Sequence, residues 1–402
     1  MGDDLTLGER IAFHRRRRGL SQKEFASEIG RSESWVSQVE RGARSVDRLS
    51  VLQHLADVLG IPLAELRAEA GPQERRSDVQ ELRLTLTGHP ALASVLGEQP
   101  ATEAIDVSQL EATAEPVWPL LHQSRYDELE PLLARLIPAL EQATRQAGNE
   151  TSTRAYELLA KTYQAAASML ARLGESDAAW IAADRAVRTA EQTSEPLSVV
   201  AGLFRMAHAF LGLRQLQEAH HVAHGAASVL RPRAQEEDAP RELLSLYGAM
   251  NLVLAVIAAR DSDRQSARQY LREARRTAER IGEDRNDFGT EFGPTNVAIH
   301  AISVAVDLGD AGEAVELAGD LDASALSPER QFRLHLDVAR AETQRRHIGD
   351  AIHRLAQADE IAPEHFQAHP LPRETVRDLV QLAGRRIPDE LREMARRLGV
   401  LP

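Results

Sequence analysis

The stretch Ser21 to Gly42, SQKEFASEIGRSESWVSQVERG, decides how the N-terminal part of this chain folds. It opens with Ser21-x-x-Glu24, a capping box in which the hydroxyl and the carboxylate satisfy free backbone donors at a helix start. Phe25, Ala26 and Ile29 place apolar groups on one side of that helix, Gly30 permits a sharp turn, and Ser32 caps a second helix running to Arg41. On the second helix Val36 and Val39 face inward with Trp35 at their edge, which leaves Glu33, Ser34, Ser37, Gln38 and Arg41 outside. Two short helices joined by a tight turn, one face left polar, make the layout of a helix-turn-helix.

Working outward, Thr6-x-x-Glu9 opens an earlier helix that carries Leu7, Ile11, His14 and the basic run Arg15 to Arg18. Ser45 caps a helix holding Val46, Leu49, Leu52, Leu55, Ala56 and Leu59, and Gly60-Ile61-Pro62 starts a fifth through Leu63 and Leu66. With GLSQKEFA, the Val36-x-x-Val39-Glu40-Arg41-Gly42 ending and the LxxLAxxLGIPLxEL tail, residues 5–69 resemble the Xre family of lambda-repressor-like DNA-binding domains. The resemblance implies that Glu33, Ser34 and Gln38 face the major groove of an operator and that Ser21, Gln22, Arg31 and Arg41 lie near phosphates. Ser32, Ser37 and Arg44 complete the DNA-facing set. Glutamine suits adenine, and glutamate accepts from the amino group of cytosine. The run Arg15 to Arg18 is as readily a solvated face as a phosphate contact.

A length of 402 residues predicts two or three domains. The absence of cysteine excludes a disulfide scaffold, a thiolate nucleophile and a cysteine-ligated metal, and agrees with a reducing cytoplasm. MGDDLTLGER has no apolar signal core and no segment holds eighteen consecutive apolar residues, so the expectation is a cytoplasmic protein without a membrane partner. Aromatics are only 4%, while Ala, Leu, Glu and Arg dominate, which predicts an all-α protein. Lys23 and Lys161 are the only lysines, an arginine bias that looks like a GC-rich, actinobacterial genome. The net charge of -13 looks wrong for a DNA binder until it is divided: residues 1–70 hold 11 basic and 11 acidic side chains, so the rest carries the whole excess.

Residues 71–100 read as a linker, broken by Gly71-Pro72, Gly88-His89-Pro90 and Pro100. Leu82, Leu84, Leu86 and the stretch Ala91 to Leu96 are apolar enough to pack as short helices on a neighbour. Residues 101–402 form a series of helical hairpins, marked by small residues seven apart: Ala179/Ala186, Ala219/Ala226, Ala267/Ala274 and Ala351/Ala358. Each pair lies two turns apart on a second helix, where a small side chain lets the first helix approach. The pattern resembles tetratricopeptide repeats, best in GDAIHRLAQADEIAP, but the marker alanines 179, 219, 267, 314 and 351 stand 40, 48, 47 and 37 residues apart rather than at that family's regular period. Roughly seven hairpins are expected, the first from Val107 to His122 and Tyr126 to Gln146, the last from Leu371 to Gly384 and Pro388 to Leu398. Such units stack into a right-handed solenoid whose first helices line a concave surface.

No phosphate-cradling loop, HExxH or GxSxG is present, which argues against an enzyme, and no cofactor is expected. His220 and His224 are four apart, but no third ligand of fixed spacing accompanies them, so no metal site is assigned. More informative are polar residues inside apolar first helices: Tyr247 and Asn251 in LLSLYGAMNLVLAVIAA, Asn296 and His300 in GPTNVAIHAISVAV, with Gln164, Arg205 and His208 in similar places. Such residues need hydrogen-bond partners, from a neighbouring helix or from a ligand in the groove. Phe288-Gly289-Thr290-Glu291-Phe292-Gly293-Pro294 adds two aromatics and a wall beside Asn296. An Xre-type domain followed by a degenerate tetratricopeptide array is similar in architecture to RNPP-type sensing regulators. That similarity implies a homodimer that binds a DNA operator and takes a signalling peptide, as in quorum sensing, or a small molecule in the groove. The alternative is a DNA-tethered adaptor whose array docks a partner protein.

Overall fold

The computed structural model describes residues 7–41, 46, 49–61, 66, 79–88, 106–146, 149–319 and 321–401. Among these residues all regular structure is helical. The first unit contains α1 (Leu7–Arg17), α2 (Gln22–Glu28), α3 (Glu33–Glu40) and α4 (Leu49–Leu59). Both arms of the capping box form at Ser21 and Glu24, Ser32 accepts from the Trp35 amide, and Gly30 turns the chain at φ +64°. Ile11, Phe25, Val36, Val39, Leu55 and Leu59 close one core, in which a side chain such as Phe25 contributes about 1.5–3 kcal/mol by leaving water. Thr6, Gly42, Arg44, Ser45, residues 62–65 and residues 67–70 lie outside the described residues, and with them two expected caps and most of the expected fifth helix. Leu66 is buried, and its carbonyl accepts from Arg10 Nε at 2.8 Å.

In the connecting stretch α5 (Gln80–Thr87) is described, whereas Ala91 to Leu96 lies outside. The hairpins come next. First are α6 (Val107–Ala114) and α7 (Val117–His122) against α8 (Tyr126–Gln146). The helix expected over Val107 to His122 is thus two, because Pro116 supplies no N–H and its ring clashes with the carbonyl four residues back. Then come α9 (Asn149–Arg172) with α10 (Ser176–Ala190), α11 (Pro196–Leu213) with α12 (Leu216–Ala234), and α13 (Arg241–Arg260) with α14 (Arg264–Ile281). The last three are α15 (Pro294–Asp307) with α16 (Ala311–Ala318), α17 (Pro328–Gln344) with α18 (Ile348–Ile361), and, after the short α19 (Pro363–Ala368), α20 (Pro370–Ala383) with α21 (Asp389–Arg397). Each first helix packs on its own second helix and on the first helix of the next hairpin.

The marker alanines are buried at every pair, which is what close approach of the paired helix demands. α5 buries Leu82 and Leu86 and packs on α8 and α10, while Leu84, the alternate residue, is 62% exposed. By length and composition α11 and α13 would suffice to cross a membrane, but α13 is 94% buried inside the protein and serves as a core helix.

Long-range contacts join distant parts of the chain. The first hairpin touches the short α19 that precedes the last one: Tyr126 Oη and His365 Nδ1 are 2.6 Å apart, and Glu364 accepts from the amides of Tyr126 and Asp127 at the start of α8. The first unit in turn sits on the repeats, where Arg17 meets Glu374 and Asp378 of α20, Glu28 meets Arg346 at the end of α17, and Gln381 donates to the Gly60 carbonyl at 3.0 Å.

Candidate functional site

The polar face of α3 is open. Glu33, Ser34, Arg31, Ser32 and Arg41 are exposed, and Ser37 and Gln38 are half-buried beside them. Among the described residues Gln38 makes no hydrogen bond, so its amide is available to a base edge. The Arg31 guanidinium lies 5.5 Å from the centre of the Trp35 ring, and Arg41 Nε donates to the Ser37 carbonyl, which holds both cations at the ends of the face. Ser21 is exposed at the start of α2. Gln22 differs from the other candidates, because its amide donates to Glu40 at 2.7 Å and is already engaged.

The basic run that ends α1 is not simply a solvated face. Arg15 is buried and grips both carboxylate oxygens of Glu40 at 2.6 and 3.0 Å while donating to the Leu20 carbonyl. Arg16 bonds the Ala12 carbonyl, Arg17 pairs with α20, and Arg18 lies 3.6 Å from Glu28. The neighbouring His14 is buried, which pushes its imidazole down to about 3 and keeps it neutral. The run therefore clamps the first unit together and onto the repeats.

In the repeats the seven polar candidates divide into two groups. Gln164 donates to the Ser198 carbonyl at 3.1 Å, tying α9 to α11. Tyr247 donates to Glu273 of α14 at 3.0 Å, and Asn251 donates to the Tyr247 carbonyl at 2.8 Å within its own helix. Arg205, His208, Asn296 and His300 instead gather where α11, α15 and the loop between α14 and α15 converge. Burial pushes His208 well below the ordinary histidine range and His300 to about 4, and the positive charge of Arg205 acts on His208 in the same sense. His300 Nδ1 lies 2.9 Å from the Asn296 carbonyl; Asn296 donates to the Glu291 carbonyl, and its own side-chain oxygen is buried without a partner among the described residues.

The loop between α14 and α15 is more than a wall. It crosses α13, where Ser245 donates to Asp287 at 2.6 Å and the Phe292 ring lies so close to Gly248 that a Cβ there would meet it at 1.9 Å. It then reaches the first hairpin: a Cβ on Gly289 would meet the Trp118 ring at 2.1 Å. Glu291 accepts from the amide and hydroxyl of Ser327 at the head of α17. Phe288 and Glu291 hold φ at +50° and +49°, conformations that cost on the order of 1–3 kcal/mol each and persist only under the grip of surrounding contacts. Arg205 is part of that grip, donating to the carbonyls of Phe288 and Gly289 at 2.6 and 3.1 Å.

Trp118, Arg172, Glu329 and Arg330 join this centre although sequence reasoning does not select them. Glu329, 3% exposed, is held well below the usual carboxylate range: burial alone would raise it, but Arg172 and Arg330 beside it prevail. A separate cleft of about 300 Å³ between α8, α9 and α10 is lined by Glu141, Tyr156, Tyr163 and Arg185 and contains none of the candidates. The His220 and His224 rings stack with centres 5.3 Å apart. Glu342, His347 and Asp350 bring three ligand atoms within 4.8 Å of one another, but Arg345 already lies 3.2 Å from both Glu342 oxygens.

Comparison with solved structures finds the crystal structure of Bacillus thuringiensis PlcR in complex with the peptide PapR7 and DNA, at 15% identity and a TM-score of 0.34, covering 91% of this chain and 98% of that one. No curated protein matches the chain. Residues 6–70 match the family model described as a helix-turn-helix domain, and this part of the chain is a helix-turn-helix DNA-binding domain.

Proposed function

We propose that the protein is a transcription regulator in which α3 reads an operator and the repeats answer to an effector. The division is residues 1–70 for DNA, 71–100 as connection and 101–402 for sensing and dimerisation. The observation that carries this reading is the contrast within the first unit: the face of α3 is open, whereas the opposite side is bound to α17 and α20 through Arg17, Glu28 and Gly60. A domain held this way can have its angle to a second copy set by the repeats. Glu33, Ser34 and Gln38 are assigned to base edges, and Ser21, Arg31, Ser32, Ser37, Arg41 and Arg44 to the backbone; Gln22 joins them only by giving up Glu40.

Effector contact is assigned to Arg205, His208, Asn296 and His300, with Gln164, Tyr247 and Asn251 supporting the helices beside them. The meeting of Tyr126 with His365 supports a peptide or small molecule over a docked folded partner, because it draws the first hairpin onto α19 near the far end of the repeats. An effector acts only if it binds one arrangement of the dimer better than the other. Selection of random DNA by the full chain tests the reading: enrichment of paired half-sites about one helical turn apart is expected, and recovery of no common sequence would refute it.

A further inference from the structure

We infer that the Arg205 guanidinium is the receptor for a single carboxylate, on a peptide C-terminus or a small organic acid, which takes the place now held by the carbonyls of Phe288 and Gly289. This rests on the effector reading above and names the effector's chemistry. Arg205 is 6% exposed, and among the described residues no carboxylate pairs with it and its buried Nε has no hydrogen-bond partner. Its terminal nitrogen meets only neutral acceptors, the two loop carbonyls at 2.6 and 3.1 Å. Trp118 and Phe204 flank it, their ring centres 5.2 and 4.7 Å from the guanidinium carbon.

The surrounding charges compensate Arg205 only in part, through Glu291, which attracts it without forming an ion pair with it. Arg172 and Arg330 share Glu329, and Glu291 is engaged by Ser327. Burial, and then the like charges of Arg172 and Arg330, push Arg205 down to about 9 against the pull of Glu291. A guanidinium presents Nε and one terminal nitrogen along a single edge, which matches the two oxygens of a carboxylate. Here one half of that edge is unused and the other holds weaker, neutral partners. The loop that supplies them is the segment with two left-handed non-glycine residues, so its departure relieves Phe288 and Glu291. The aromatic rings favour an acid whose adjoining group is apolar.

The test uses the full chain with Trp35→Phe and Trp180→Phe, which leaves Trp118 as the one tryptophan reporter at the site. The probes are N-acetyl-Leu-Phe and 4-phenylbutyrate, each as free acid and as neutral amide. At least one acid is expected to change Trp118 emission saturably, with its amide about tenfold weaker or worse, as loss of a charged hydrogen-bond pair implies. A response to the dipeptide acid alone identifies a peptide terminus as the source, and a response to 4-phenylbutyrate alone identifies a small acid. Arg205→Gln is expected to erase the preference for acid. Gly289→Ala places a Cβ against the Trp118 ring and dislodges the loop, so it is expected to tighten acid binding about tenfold, where mere damage would weaken it. Equal binding of acid and amide, no binding of either acid to any of these proteins, or weaker binding by Gly289→Ala would overturn the inference. Equal binding leaves the effector reading standing, whereas acid-selective binding that never alters the DNA affinity of the chain with all three tryptophans contradicts the effector reading alone.

Discussion

Arg17 and Asp378 stand 361 residues apart in the chain and meet in the structure, with Arg17 Nε 3.2 Å from Asp378 Oδ2. The same guanidinium lies 3.2 Å from Glu374, so one arginine of the DNA-binding domain holds two carboxylates of α20. Burial alone would raise the Glu374 carboxyl, yet Arg17 and Arg214 beside it keep it below the usual range. With Glu28–Arg346 and Gly60–Gln381, this pair links the helix-turn-helix domain to the repeats.

Removing the link loosens the dock without unfolding either side. Arg17→Gln leaves two carboxylates short of a partner and is expected to cost about 1–3 kcal/mol. Amide hydrogen exchange is expected to speed up in Pro370–Ala383 and at Gly60 while the core amides of α3 keep their rates. Unchanged exchange along α20 would show that the contact holds nothing.

Arg15 is the opposite case, a buried partner inside the DNA-binding domain. Arg15→Ala leaves Glu40, which is 8% exposed, with the neutral Gln22 amide but no paired cation, and is expected to destabilise the domain by about 3–5 kcal/mol. Arg15→Met with Glu40→Leu is expected to recover most of that loss in a urea titration, since the pair is replaced by apolar volume. A double variant no more stable than Arg15→Ala alone would contradict this account of the clamp.

Acid is expected to unfold the protein early. Burial pushes His14 and His369 down to about 3, His122 and His300 to about 4, and His208 and His365 well below their ordinary 6.5. The unfolded chain then takes up protons first, so stability present above pH 6.5 is lost as pH falls below it, by up to about 1.4 kcal/mol per pH unit for each histidine. Urea midpoints are expected to drop steeply between about pH 6.5 and 5. Equal midpoints at pH 7 and 5 would contradict the burial of neutral imidazoles.

The local parts of this structure are legible in the chain, and the distant contacts are not. Ser21, Glu24, Gly30 and Ser32 act within three or four residues of themselves, so a cap or a turn can be read directly. Ala267 and Ala274 mark a closely packed second helix because only a small side chain fits there. Periodicity states that a face is buried but not what covers it, and so it cannot bring Arg17 to Asp378, Tyr126 to His365 or Gly289 to Trp118. Asn251 illustrates a second limit: a polar residue in an apolar helix needs a partner from a neighbouring helix or a ligand, and the sequence does not foretell that the carbonyl four residues back takes its amide.

Dimerisation is expected from the size of the task, because a single helix-turn-helix contacts too little DNA to hold an operator. Light scattering of the full chain at micromolar concentration is expected to give twice the mass of the 44.3 kDa chain. A single-chain mass in the presence of operator DNA would contradict the paired-head arrangement.

The central claim is that α3 reads bases, and Gln38→Ala on the selected site tests it most directly. Gln38 is half-buried and bonds to no described residue, so its loss leaves the fold alone. The account predicts that Gln38→Ala weakens binding to the selected site by about 1–3 kcal/mol while binding to random DNA stays the same. Equal losses on the two DNAs, or no loss on either, would contradict it.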